Sequence, residues 1–138
     1  MKKFKNIFLV TLILNILGAL PLFLMPFMPA IKEELVFTQF EGMANNALAI
    51  EIWDLFNSVL AFMVGAILVV NFIGIKSKSI EAARTTALIL LVLLIGFTLP
   101  DWINLFQGVG HPPLLIMALN LVPLVLLEYG RRNENKIV

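Results

Sequence analysis

Four long apolar runs, each closed by charge or by proline, set the rhythm of the chain. The plainest lies between Glu51 and Ile75, EIWDLFNSVLAFMVGAILVVNFIGI. Two acids flank a tryptophan at its start, and no charge interrupts the 21 residues from Leu55 to Ile75. At about 1.5 Å per residue that run makes a rod of roughly 30 Å, the thickness of a bilayer's hydrocarbon core. The pattern predicts a membrane-spanning helix over about 53–75, with Trp53 at one interface and Lys76 at the other. Within it Asp54, Ser58, Ala61 and Gly65 follow spacings of four, three and four, with Glu51 one turn earlier. These residues share one face. Its small side chains predict that another helix packs there. Bulky Leu55, Phe56, Phe62 and Leu68 suit lipid or broader packing.

Three further runs predict spans over about 7–28, 82–99 and 112–128. Pro21 and Pro26 lie in the outer half of the first, which predicts a kink or an early end near Pro21. Gly18 and Ala19 allow close helix contact there. Pro100 is expected to end the third span, and Pro112 and Pro113 to start the fourth. Asn120 and Pro123 interrupt that last run. Between the second and third spans, Ser79 is placed to cap a helix, with Glu81 near its positive end. Residues 101–113, DWINLFQGVGHPP, read as a compact outer loop with turns at Gly108 and Gly110. Residues 29–50 mix Ile31, Leu35, Val36, Phe37 and Phe40 with Lys32, Glu33, Glu34 and Glu41. That mixture fits an amphipathic piece on the membrane surface or an ordered loop capping the bundle. Near the end, Glu128 is spaced to pair with Arg131 or Arg132. The tail after Gly130 is polar.

Composition agrees with lipid as the surrounding medium. Of 138 residues 60% are hydrophobic and 14% charged, with a mean hydropathy of +0.97. Soluble domains carry about 45–50% apolar and about 25% charged residues. A chain this short cannot hide so much apolar surface in a water-soluble core. The expected fold is all-α: one transmembrane domain over 1–138, an integral membrane four-helix bundle. The first apolar run, Ile7 to Met28, is 22 residues. That exceeds a signal peptide's apolar region of about 7–15, so a retained anchor is expected. There is no cysteine, so disulfides, thiolate metal sites and cysteine lipidation are excluded.

Charge gives the orientation. Lys2, Lys3, Lys5, Lys76, Lys78, Arg84, Arg131, Arg132 and Lys136 fall on one side of four spans, and the other two loops hold only Lys32. By the positive-inside rule both termini are cytoplasmic, in the cell (inner or plasma) membrane. The outward side holds Glu33, Glu34, Glu41, Glu51, Asp54 and Asp101, together with the only histidine, His111. It also holds an aromatic rim of Trp53 and Trp102. Nucleic acid is not expected as a partner, because this end repels phosphates.

Candidate chemistry gathers at the same end. Glu51, Asp54, Asp101 and His111 lie at the outer ends of three spans. Neighbouring carboxylates on an inward face would raise at least one pKa, and such a group beside a histidine can move protons or hold a cation. Structural charges also cluster at helix ends, and then these four are merely solvated. No metal site is assigned, since one histidine and scattered carboxylates lack a ligand spacing. No cofactor is expected. Asn15, Asn57, Asn71 and Asn120 fall in or near spans. Such residues serve as hydrogen-bonding glue between helices or as ligand contacts, and Asn57 and Asn120 are the better candidates for a ligand. No charged residue lies deep in a span, which argues against a proton-coupled pump or a charged ion filter. There is no GxSxG and no phosphate-cradling glycine loop, and no catalytic residue is assigned.

An apolar helix ends in prolines, LGALPLFLMP. A charged outer connection leads to NALAIEIWDLFNSVLAFMVGAILVV, then a basic inner loop and two more spans. In this layout the chain resembles the DoxX-like and ergosterol-protein-28-like small membrane proteins. The resemblance implies a four-helix bundle, in several members a partner or scaffold in membrane complexes. It carries no catalytic residue. The leading expectation is a non-enzymatic bundle that binds a lipid-like small molecule or a membrane partner in a pocket near the outer face. One alternative is an acid–base isomerase or hydrolase on an apolar substrate, using Glu51, Asp54 or His111. Another is a small transporter or channel subunit, which requires a homo-oligomer because four spans enclose little space.

Overall fold

A computed structural model describes residues 2–38, 40 and 42–133. Glu41 and Lys136, counted above, and the end of the polar tail lie outside the described residues. Five α-helices follow in order: α1 (Lys2–Leu24), α2 (Pro29–Lys32), α3 (Ala47–Lys76), α4 (Ile80–Gln107) and α5 (Leu114–Asn133). A π-helical turn (Glu33–Phe37) and a 3-10 turn (Met43–Asn45) lie between α2 and α3. No strand occurs among the described residues. The four long helices are each long and apolar enough to cross a membrane.

Helix α1 packs on α3 and α5, and α4 packs on the same two, so the four close into a ring. Neighbours run antiparallel. Phe8, near the start of α1, meets Gly74 near the end of α3, while Asn57 near the start of α3 meets Leu22 near the end of α1. The bundle therefore has an acidic end, with the α1–α3 and α4–α5 connections, and a basic end with the start of α1, the α3–α4 connection and the end of α5.

The core is concentrated in the basic half. Phe4 and Phe8 of α1, Ile67 of α3, Leu90 and Leu94 of α4 and Leu127 of α5 form one buried cluster. The two phenylalanine rings stack 5.2 Å apart. Small residues let the backbones close on these rings. A Cβ on Gly74 would lie 2.4 Å from the Phe8 ring, and one on Gly130 would lie 2.8 Å from Ile7. Asn71 is fully buried on the same seam. With its amide turned so that each end meets a complement, it donates to the Phe8 carbonyl at 3.0 Å. Its oxygen then accepts from the Leu12 N–H and from Asn15, each at 3.2 Å. Three interhelical contacts thus fix α3 against two turns of α1.

This packing corrects the face predicted for α3. Asp54 and Ser58 are exposed and Ala61 and Gly65 only half-buried, whereas Asn57, Ile67, Asn71 and Gly74 are the buried positions. Nothing approaches within 4 Å of the Cβ site of Gly65. The amide of Asn71 and the gap at Gly74 decide which face meets α1, because an unpaired amide facing lipid costs more than an unfilled small-residue stripe. Of the bulky residues, Leu55, Phe56 and Phe62 are exposed and Leu68 is half-buried.

Prolines end fewer helices than the sequence suggested. Helix α1 passes through Pro21 and stops at Leu24, where Phe27 and Met28 N–H groups both reach the Leu24 carbonyl at 2.9 Å. Helix α4 passes through Pro100 and continues to Gln107, ending on Gly108 at φ 69°. A proline removes one rung, and without competing water the helix resumes beyond it. Asp101 and Trp102 therefore stand on the last turns of α4 rather than in a loop.

Two helix starts have side-chain caps. Asn46 accepts from the Ala49 N–H at 3.1 Å, and Ser79 accepts from the Ala82 N–H at 3.1 Å with Glu81 in the first turn. Ser79→Ala is expected to cost about 1 kcal/mol, and Ser79→Asp much less. Thermal unfolding of the two variants in one detergent checks this.

Candidate functional site

The proline at the end of α1 creates the site. Pro26 has no N–H, so the carbonyl four residues back, that of Leu22, loses its helical donor. Asn57 on α3 supplies the replacement, its Nδ2 donating to the Leu22 oxygen at 3.4 Å. That bond sets the direction of the amide. Asn57 is only 4% exposed, and its Oδ1 is buried with no hydrogen-bond partner among the described residues. A buried acceptor left unpaired costs about 1–3 kcal/mol.

Asn57 lines a pocket of about 470 Å³ between the end of α1, α2 and the first turns of α3. Met25, Pro26, Pro29 and Phe37 give it an apolar half. Lys32, Asp54, Asn57 and Ser58 give it a polar half. The polar half is preorganised. Lys32 is 16% exposed at its side chain, and its Nζ lies 2.5 Å from Asp54 Oδ1 and 5.7 Å from the centre of the Phe37 ring. Ser58 donates its hydroxyl back to the Asp54 carbonyl at 2.9 Å. Residues 29–38 thus fold over this end of the bundle, with Val36 buried.

An aromatic wall stands beside the pocket. Trp53 lies between Phe40 and Phe56, with ring centres 6.4 and 6.0 Å away. Its buried indole N–H has no acceptor among the described residues. Trp102 is half-buried on α4.

The other candidates named from sequence are spread around the same end. Glu51 is exposed on α3. Asp101 and His111 are half-buried and within electrostatic reach of each other, and His111 Nδ1 lies 2.8 Å from the Pro112 carbonyl. Asn120 is half-buried on α5, its Oδ1 3.4 Å from the Cβ site of Gly18. None of these four lines the pocket with Asp54 and Asn57. Among the described residues no three His, Asp or Glu side chains gather as metal ligands would.

Comparison adds no relative. No family model, no curated protein and no solved structure matches this chain. The chemistry of the pocket must therefore be read from its own groups: a cation held by a carboxylate, an unpaired amide oxygen, and an apolar wall.

Sequence reading missed Lys32, Met25, Pro26, Pro29, Phe37 and Ser58 as pocket residues. Lys32 had a signal, being the one cation in the two acidic connections. A lone positive charge among acids is a natural ion-pair partner.

Proposed function

We propose that this is a multi-pass protein of the cell membrane, both termini cytoplasmic, that binds a lipid-like amphiphile in the outward pocket at its acidic end. The observation that carries this is that Asn57, whose buried Oδ1 has no partner among the described residues, lines a half-apolar cavity. A hydroxyl or amine donor would satisfy that oxygen. Lys32 and Asp54 would meet the rest of a polar head, and Met25, Pro29 and Phe37 the first methylenes of a tail. The volume suits this, since ligand sites of about 300–1,000 Å³ hold small molecules and the pocket lies at the low end. Asp54 stands 22 residues before Lys76, roughly 33 Å along α3, which fits one residue at each interface.

A monoacylglycerol serves as probe, having hydroxyl donors and a single chain. Native mass spectrometry of the detergent-extracted protein is expected to show one bound molecule. Asn57→Leu should lower its retention about tenfold, equivalent to about 1.4 kcal/mol. The substitution also frees the Leu22 carbonyl, so Asn57→Ser is the companion variant; its hydroxyl can donate or accept, and its retention should fall between the two. Equal retention in all three proteins would defeat the proposal, and so would a wild-type protein that never holds the probe.

A further inference from the structure

We propose a second, separate binding site at the basic end, for the phosphate head group of an anionic phospholipid. It does not depend on the acidic-end pocket. A cavity of about 400 Å³ lies between the start of α4 and the end of α5, lined by Arg84, Thr85, Leu88, Arg131 and Arg132. Three arginines from two helices border one cavity, and among the described residues no acid lines it.

Two of the three are held side by side. Arg131 donates to Glu128 through Nε at 2.8 Å and Nη2 at 2.9 Å, and Arg132 donates to the same carboxylate through Nε. One carboxylate orients both side chains and offsets only part of their charge. The remaining guanidinium N–H groups match the paired oxygens of a phosphodiester, a geometry arginine meets better than lysine. Arg131 and Arg132 also occupy the last turn of α5, where the helix dipole favours cations.

The lining points to a lipid rather than a free anion. Leu88 lies one turn below Arg84 on α4, lines the cavity and is half exposed. Ile89 and Val92 continue an exposed apolar surface toward the middle of the bundle. A phosphate at the arginines would therefore place its acyl chains along helix surface that already suits lipid. Thr85, exposed beside Arg84, adds a hydroxyl. Basic pockets between helices at the cytoplasmic face suit anionic head groups in this way.

The test uses the full chain in neutral detergent, titrated with phosphatidylglycerol, with phosphatidylcholine, and with inorganic phosphate. Retention is read by native mass spectrometry. Phosphatidylglycerol should be retained about tenfold over phosphatidylcholine, and millimolar phosphate should not displace it. Arg84→Gln and the pair Arg131→Gln/Arg132→Gln should each lower retention, by about fivefold per arginine removed. Thr85→Glu keeps every arginine and places a carboxylate among them, so it should expel the lipid without loss of thermal stability. Lys2→Gln/Lys3→Gln/Lys5→Gln removes more charge from the same end than either arginine variant and should change retention little. The proposal is overturned by equal retention of the two lipids, by displacement with phosphate, by a lysine variant that loses as much as the arginine variants, or by undiminished retention in Thr85→Glu.

Discussion

Gly74→Ala is expected to destabilise the bundle by about 1–3 kcal/mol, although alanine is the better helix former. The added methyl would sit 2.4–2.7 Å from three atoms of the Phe8 ring. That ring cannot retreat easily. It is fully buried and stacked on Phe4, itself 1% exposed. Either the ring leaves its rotamer or α1 and α3 move apart, and moving apart stretches the Asn71 contacts on the same seam. A second substitution separates this cause from others. Phe8→Leu removes the atoms in the way at the cost of a partial cavity. Gly74→Ala/Phe8→Leu should then be less destabilised than the sum of the single changes, by about 1 kcal/mol or more. Thermal midpoints of the four proteins in one detergent measure the cycle. Strict additivity would mean that the ring is not the obstacle.

Asn71→Leu should have the second largest effect. The branched shape and heavy-atom count are kept and the lipid-compatible character rises, so a purely hydrophobic account predicts a gain. The hydrogen bonds predict a loss. Asn71 meets the Phe8 carbonyl, the Leu12 N–H and the Asn15 amide, and the last is left short of a partner when Asn71 is replaced. Interhelical polar contacts in membranes average about 0.6 kcal/mol and reach about 1.7, and a stranded buried amide adds to that. A loss of about 1–2 kcal/mol is expected. Asn15→Leu in the same background should recover part of it, since the stranded group is then gone. Thermal unfolding of the single and double variants gives the sign directly.

The fold was legible because hydrophobic run length is a strong signal. No charge breaks Leu55 to Ile75, and that alone identifies the core of α3. Ser79 and the Glu128 pairings were legible too, since both are local: a cap reaches three residues and an ion pair three or four. Packing faces were not. The spacing of Asp54, Ser58, Ala61 and Gly65 is as helical as that of Asn57, Ile67, Asn71 and Gly74, and periodicity cannot rank them. Only the position of Phe8 and of the α1 backbone does so. Helix ends at prolines misled for a related reason. The penalty of one missing rung is the same at Pro26 and Pro100, but Pro26 precedes a turn and Pro100 precedes two more turns of helix.

The acidic-end pocket was half legible. Asp54 and Asn57 stood out as polar residues near a span entrance. Their partner Lys32 is 22 residues from Asp54, and Leu22 is 35 from Asn57. Contacts of that range depend on how the connection folds back over the bundle. The link from Pro26 through the Leu22 carbonyl to Asn57 required knowing where α1 ends.

Cysteine labelling tests the central claim most directly, because the chain has no cysteine of its own. Glu51→Cys is exposed at the acidic end and Lys78→Cys is exposed at the basic end. A maleimide that cannot cross membranes, applied to intact cells, should label Glu51→Cys at once and Lys78→Cys only after permeabilisation. Labelling of Lys78→Cys in intact cells, with Glu51→Cys protected, would contradict the account.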